Sequence, residues 1–336
     1  MNRIPSLPTG TLKRHVIESK ALVGNLLNDP SHRAVDVYIP HGHDGRGLPL
    51  LVSLAGFTSS GLAQTGWRNF SENVPERLDR LIATQQMEPA VIVFPDCFTR
   101  LGGNQYINST AMGRWADFLI HDMLPVIEQN YRCGGAGKRG LFGKSSGGYG
   151  AIVHAMLYPD IWSACACHAG DMAFEVAYLP DMPRVLRALA REGGDIKRWI
   201  EALEATPSPA GEDIHVLMML AMAASYDPDP SAYLGIHLPV DPQTCETIPE
   251  RWEQWLAWDP LRLVQSHGGA LQGLKALFVD CGDRDQYNFL YCARRMHRAL
   301  RDAGVTHRYE EFSGTHSGID HRLDVSLPFL VRALSA

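Results

Sequence analysis

No stretch of the 336-residue chain approaches the roughly 18 consecutive apolar residues that a membrane-spanning helix needs. The first residues, Met1-Asn2-Arg3-Ile4-Pro5-Ser6-Leu7-Pro8, lack the apolar segment of a secretory signal. There is no basic run, and 31 Lys and Arg face 37 Asp and Glu, for a net charge of −6. That balance argues against a nucleic-acid surface, which depends on clustered cations. Cysteine is sparse: seven residues, scattered and odd in number, fit a reducing compartment rather than a disulfide framework. Cys165-Ala166-Cys167-His168 lacks the C-x-x-C spacing of a metal site, and the apolar run 161–167 around it reads as a buried strand. No repeat or low-complexity tract is visible. The expectation is a cytoplasmic protein without metal, nucleic-acid partner or membrane partner.

Hydrophobic content of 45% and charged content of 20% are those of an ordinary globular protein. The length allows one large α/β domain with an insertion, or two ordinary domains. Strand-like runs occur at 15–23, 34–40, 50–54, 89–94, 139–142, 162–167, 274–279 and 307–312. Helical spacing marks 112–131, 150–157, 289–303 and 320–334, and Pro125 is expected to kink the first of these or open a new turn in it. Strands alternating with helices predict a mostly parallel sheet flanked by helices on both faces.

Residues 172–268 break the alternation. They hold helix-like segments at 182–190, 196–205, 214–224 and 249–257, separated by linkers such as Asp227-Pro228-Asp229-Pro230. The expected organisation is a core of residues 1–171 and 269–336 with a helical cap inserted at 172–268. The cap's Met182, Trp199, Met218, Met219, Met222, Trp252 and Trp255 either shape a pocket or pack the cap on the core.

The stretch Arg139-Gly140-Leu141-Phe142-Gly143-Lys144-Ser145-Ser146-Gly147 carries the most chemical information. It contains Gly-x-Ser-x-Gly between a strand-like run and a helix-like run. A strand turning sharply into a helix needs residues without bulk around a strained nucleophile, and Gly143 and Gly147 meet that need. Ser145 is therefore a candidate nucleophile.

A serine hydroxyl needs a base, usually a histidine oriented by a carboxylate, and in this arrangement the chain order is Ser, Asp or Glu, then His. The run 274–279 leads into Asp280-Cys281-Gly282-Asp283-Arg284-Asp285, where three aspartates compete. Asp285 lies beyond the turn, where a side chain can swing back toward a histidine; the other role open to it is capping the next helix. The run 307–312 leads into Gly314-Thr315-His316-Ser317-Gly318, which makes His316 the candidate base and His321 its rival. An oxyanion hole would take the N–H of Ser146, after the nucleophile, and that of Phe57, in the small-residue loop after the third strand. His168, Asp171 and Tyr178 follow the strand after the elbow and are candidates for the pocket floor.

Several segments together resemble the Putative esterase family, which includes esterase D, S-formylglutathione hydrolases, feruloyl esterases, enterochelin esterases and mycolyltransferases. They are Leu54-Ala55-Gly56-Phe57, Phe94-Pro95-Asp96, Trp115-Ala116-Asp117-Phe118-Leu119, Leu124-Pro125-Val126-Ile127-Glu128, the elbow through Ala151, Asp280 to Asp285, and Gly314-Thr315-His316. The resemblance covers most of the chain outside the cap. It implies the α/β-hydrolase fold, a triad of Ser145, Asp285 and His316, and a possible homodimer. Two positions depart from the family's elbow: Lys144 and Ser146 stand where His and Met or Leu are usual. Lys144 puts a cation near the site, where it either favours anionic substrates or points to solvent. The cap is larger than in the compact S-formylglutathione hydrolases.

The expected activity is that of a serine carboxylic-ester hydrolase acting on a small-molecule ester or thioester through an acyl-enzyme, without a cofactor. The alternatives are an acyltransferase with the same triad, a peptidase, and a non-catalytic binding protein on the same fold.

Overall fold

The computed structural model describes residues 7–336. Eight strands form one sheet: β1 (Thr11–Glu18), β2 (His32–Ile39), β3 (Leu50–Leu54), β4 (Val91–Pro95), β5 (Arg139–Lys144), β6 (Ala164–His168), β7 (Ala276–Gly282) and β8 (Arg308–Phe312). Their order across the sheet is β1-β2-β4-β3-β5-β6-β7-β8. The pairs β1/β2 and β2/β4 are antiparallel and every other pair is parallel.

Parallel strands are covered on both faces, and the interior strands show it. Every residue of β3 and β4 is buried. Leu50, Val52 and Leu54 pack into one hydrophobic layer and Leu51 into the other. The first layer is roofed by helices Ser146–Leu157, Pro260–Gln272 and Phe289–Asp302. The second is roofed by Val74–Ala83 and Leu323–Ser335. This is the α/β-hydrolase arrangement expected from the alternation of elements.

The first strand lies earlier than expected, at Thr11–Glu18 rather than 15–23. It is an edge strand with mostly exposed residues, so no apolar pattern marks it; eight pairings to β2 hold it. Residues 112–131 are not one regular helix. Phe118–Met123 widens into a π-helical turn, and Pro125 sits in the first turn of Leu124–Tyr131. A proline lacks the N–H that a regular helix would use there, and the wide turn absorbs the mismatch.

The chain crosses over at β3, which lies between β4 and β5. Loops leaving the ends of β3 and β5 are therefore neighbours, which in open α/β sheets is where ligands bind. The block 172–268 contributes no strand to this sheet. It carries helices Met182–Ala190, Ile196–Glu204, Gly211–Tyr226 and Pro249–Ala257. Pro260–Gln272 begins inside that block, yet it packs on the elbow helix and leads into β7. Among the described residues, no helix is long and apolar enough to cross a membrane.

Candidate active site

β5 ends at Lys144 and the next helix begins at Ser146, so Ser145 alone makes the turn. Its backbone sits at φ 57°, ψ −126°, a strained conformation for a residue with a side chain. Two hydrogen bonds hold it there: the Ser145 N–H donates to the His168 carbonyl at 3.0 Å, and the Ser145 carbonyl accepts from Tyr149 N–H at 2.9 Å. The flanking glycines are needed for space. A Cβ on Gly147 would lie 1.9 Å from the Leu54 carbonyl oxygen, and one on Gly143 would lie 2.4 Å from the Gly147 backbone.

Asp285 and His316 come together from the loops after β7 and β8. Asp285 Oδ2 lies 2.7 Å from His316 Nδ1. Asp285 Oδ1 accepts from the amides of Tyr287 at 2.9 Å and Phe289 at 3.4 Å, while the His316 N–H donates to Gln286 Oε1 at 3.0 Å. The imidazole stands edge-on to Tyr287 and Phe289, with centroids 4.9 and 5.3 Å away. Burial by itself would raise the Asp285 pKa. The hydrogen bond and charge of His316, with the two amides, outweigh it and hold the carboxyl below the usual range. With Nδ1–H donated to a carboxylate, Nε2 keeps its lone pair free.

The rival residues are engaged elsewhere. Asp280 is fully buried and takes His168 Nδ1 at 2.6 Å and Arg322 Nε at 2.7 Å. Asp283 is exposed and accepts from the Gly314 amide at 2.9 Å. His321 is exposed in the short 3₁₀ turn before the last helix.

Ser145 and His316 line one cavity of about 380 Å³. Phe57 lines it too, and its N–H and that of Ser146 have no backbone hydrogen-bond partner among the described residues. The Phe57 loop is clamped from behind. Gly103 N–H donates to the Phe57 carbonyl at 2.8 Å, and Tyr106 hydroxyl donates to the Ala55 carbonyl at 2.6 Å. A Cβ on Gly103 would fall 2.5 Å from Phe57 Cα, so that approach requires glycine.

The four pocket candidates fare differently. Lys144 and Tyr178 line the cavity. So does His168, but its ring nitrogens are already bound, to Asp280 and to Ser326 Oγ at 2.9 Å. Asp171, expected on the pocket floor, is instead buried behind it. Its Oδ1 lies 3.4 Å from Ser145 Oγ, and its Oδ2 accepts from Tyr178 hydroxyl at 2.8 Å, Ser146 hydroxyl at 3.3 Å and Gln105 Nε2 at 3.3 Å. The cavity walls also include residues that sequence reasoning missed. Arg68 enters from the loop before Val74–Ala83, and His215, from the helix Gly211–Tyr226, stacks on Tyr287 with centroids 5.8 Å apart. Neither belongs to a motif, so only the fold reveals them. Among the described residues, no group of three His, Cys, Asp or Glu is placed to hold a metal ion.

Burial, the largest influence on Asp171, pushes its pKa up despite the hydrogen bonds it accepts. A carboxyl whose folded pKa exceeds its unfolded value, near 3.9, destabilises the fold as pH rises through that interval. Asp171→Asn is therefore expected to stabilise the protein at pH 7 relative to pH 4. Thermal melts at the two pH values check this: the mutant's gain in Tm should be larger at pH 7.

Several solved structures share this fold. The structure resembles a ferulic acid esterase, with a TM-score of 0.60 at 21% identity over 98% of this chain and 100% of that one. It resembles an S-formylglutathione hydrolase from Agrobacterium tumefaciens, with a TM-score of 0.59 at 17% identity over 98% and 97%. It also resembles a fluorophosphonate-binding serine hydrolase of Staphylococcus aureus, with a TM-score of 0.58 at 13% identity over 96% and 99%. At these identities the likeness speaks for the fold. No curated protein matches the chain. The model of the Putative esterase family matches residues 30–325, nearly the whole chain. The chain belongs to the Putative esterase family and is, on that membership, an esterase.

Proposed function

We propose that this esterase is a serine carboxylic-ester hydrolase working through an acyl-enzyme. Ser145 is the nucleophile, His316 the general base and then acid, and Asp285 the carboxylate that orients it. The observation carrying this reading is the 2.7 Å contact between Asp285 Oδ2 and His316 Nδ1, in a loop pair that puts His316 on the same cavity as the strained Ser145.

In the first half-reaction the Ser145 hydroxyl leaves its resting contact with Asp171 and gives its proton to Nε2 of His316 while Oγ attacks the carbonyl carbon. The charge that develops on the carbonyl oxygen is met by the N–H groups of Phe57 and Ser146. Asp285 stabilises the imidazolium without taking its proton. His316 then protonates the leaving alkoxide or thiolate, which leaves Ser145 acylated. Water, deprotonated by the same imidazole, attacks the acyl-enzyme; the C–Oγ bond breaks, the imidazolium returns the proton to Ser145 Oγ, and the acid is released.

Residues 172–268 act, in this reading, as a helical cap inserted in a core made of 1–171 and 269–336. Tyr178, Gly211, Ile214, His215 and Met218 bring that block to the cavity wall. The cavity size suits a small-molecule ester or thioester. The solved relatives named for ferulic acid and S-formylglutathione support that substrate class.

The test is product analysis on an activated short-chain ester with increasing amounts of a primary alcohol. Free acid as the main product throughout supports hydrolysis. Near-complete diversion to the new ester would make the protein an acyltransferase, and no turnover of any ester would make it a binding protein.

A further inference from the structure

Lys144 ends β5, immediately before the nucleophile. Its side chain is half-buried and lines the same cavity as Ser145 and His316. It does not point freely to solvent. Among the described residues its ammonium has neither a hydrogen bond nor an ion pair. Asp320 lies in the same wall, but its carboxylate is taken up by Arg68, also in that wall. His215 is turned toward Asp181, 2.9 Å away.

The wall itself therefore holds more cations than acids, with the ionised Asp285 standing behind His316 rather than in the wall. Arg68 and Lys144 are cationic, and Asp320 is the one acidic residue in the wall among the described residues. A half-buried ammonium with no direct partner has lost water without gaining a counter-charge, an arrangement that costs free energy until an anion arrives. Burial accordingly draws the Lys144 pKa down, while the more distant Asp320 and Asp285 carboxylates oppose that shift and Arg68 adds to it. Lysine presents a compact point charge on a flexible stem, suited to meeting a carboxylate at more than one angle.

We infer that Lys144 is a specificity residue for the reaction proposed at Ser145, on which this inference rests. It selects esters or thioesters that carry a free carboxylate a few carbon atoms from the scissile carbonyl. The carboxylate pairs with the Lys144 ammonium while the carbonyl occupies the Ser145 elbow.

The test compares two activated esters of equal acyl length, 4-nitrophenyl hydrogen adipate and 4-nitrophenyl hexanoate. The parent enzyme should favour the adipate in kcat/KM, and the preference should shrink as salt rises from about 0.05 to 0.5 M. In Lys144→Met the adipate-to-hexanoate ratio should fall at least about tenfold, and Lys144→Arg should retain most of it. Equal kcat/KM for the two esters in the parent, or an unchanged ratio in Lys144→Met, overturns the inference. Calorimetric binding of adipamate against hexanamide, which differ only in the distal carboxylate, needs no catalysis. If neither ester is turned over, the proposed reaction fails. The anion site then stands or falls on whether the parent binds adipamate more tightly than hexanamide and Lys144→Met loses that difference.

Discussion

Ser145→Ala is expected to lower kcat/KM on an activated short-chain ester by about 10⁴- to 10⁶-fold, roughly 5 to 8 kcal/mol of transition-state stabilisation. In the proposed mechanism the substitution removes the atom that forms the covalent bond, and no neighbouring group is free to replace it. Ser146 is one residue away, but its hydroxyl is fully buried and is shared between Asp171 and Gln105. Any activity that remains would come from binding and the Phe57 and Ser146 amides acting on water. The fold should survive. Ser145 Oγ makes one long contact, 3.4 Å to Asp171, and its backbone bonds to His168 and Tyr149 do not involve the side chain. A thermal melt beside the assay checks this: Tm should move little while activity collapses. Near-parental activity in the mutant would rule out a serine mechanism at this elbow.

The second large effect is expected for Asp285→Asn, a loss of about 10²- to 10⁴-fold in kcat with a smaller change in KM. The amide oxygen can still accept from Tyr287 and Phe289, so the loop keeps its shape. What changes is the hydrogen at His316 Nδ1. An amide NH₂ facing that nitrogen favours the tautomer with its hydrogen on Nε2, and this tautomer cannot receive a proton from Ser145. The same substitution should carry a pH signature in stability. The folded Asp285 pKa lies below its unfolded value, so the carboxylate stabilises the fold above about pH 4, and the benefit is lost as pH falls through the folded pKa. The Tm difference between parent and Asp285→Asn should accordingly be largest near neutrality and narrow below about pH 4. Asp283→Asn is the control. Asp283 is exposed and bonds only backbone and Arg284, so its loss should leave kcat within a few-fold of the parent.

The positions just discussed separate what a sequence exposes from what it conceals. The β/α alternation is legible because interior strands buried on both faces are short apolar runs, and helices such as Phe289–Asp302 show a buried stripe at helical spacing. The elbow was legible because its glycines answer a local steric demand, and Asp285 and His316 because each follows a strand end within a few residues. The bounds of β1 leave no such mark, because an edge strand exposes polar residues and owes its position to pairing rather than to burial. The Gly102-Gly103 support under Phe57 was missed because the contact joins segments some 45 residues apart and leaves no periodic trace.

For Asp171 the sequence shows the neighbourhood but not the surroundings. Its position after β6 is readable, but its burial against nearby Tyr178 depends on two other segments, at Gln105 and Ser146, converging on it. The Met and Trp residues of 172–268 show the same limit. Met218 lines the cavity, whereas Met182, Trp199, Met219, Met222, Trp252 and Trp255 are buried in the hydrophobic core. Helical periodicity marks a buried side chain without distinguishing a core from a cavity wall.

The most direct measurement is labelling with a fluorophosphonate probe followed by peptide mapping. A phosphonylated serine forms only where a base activates the hydroxyl and the oxyanion is met by donors. The account predicts one label per chain, on the peptide containing Ser145, lost in Ser145→Ala and much slowed in His316→Ala. Absence of labelling in the folded parent protein, or a label on another residue, would contradict it.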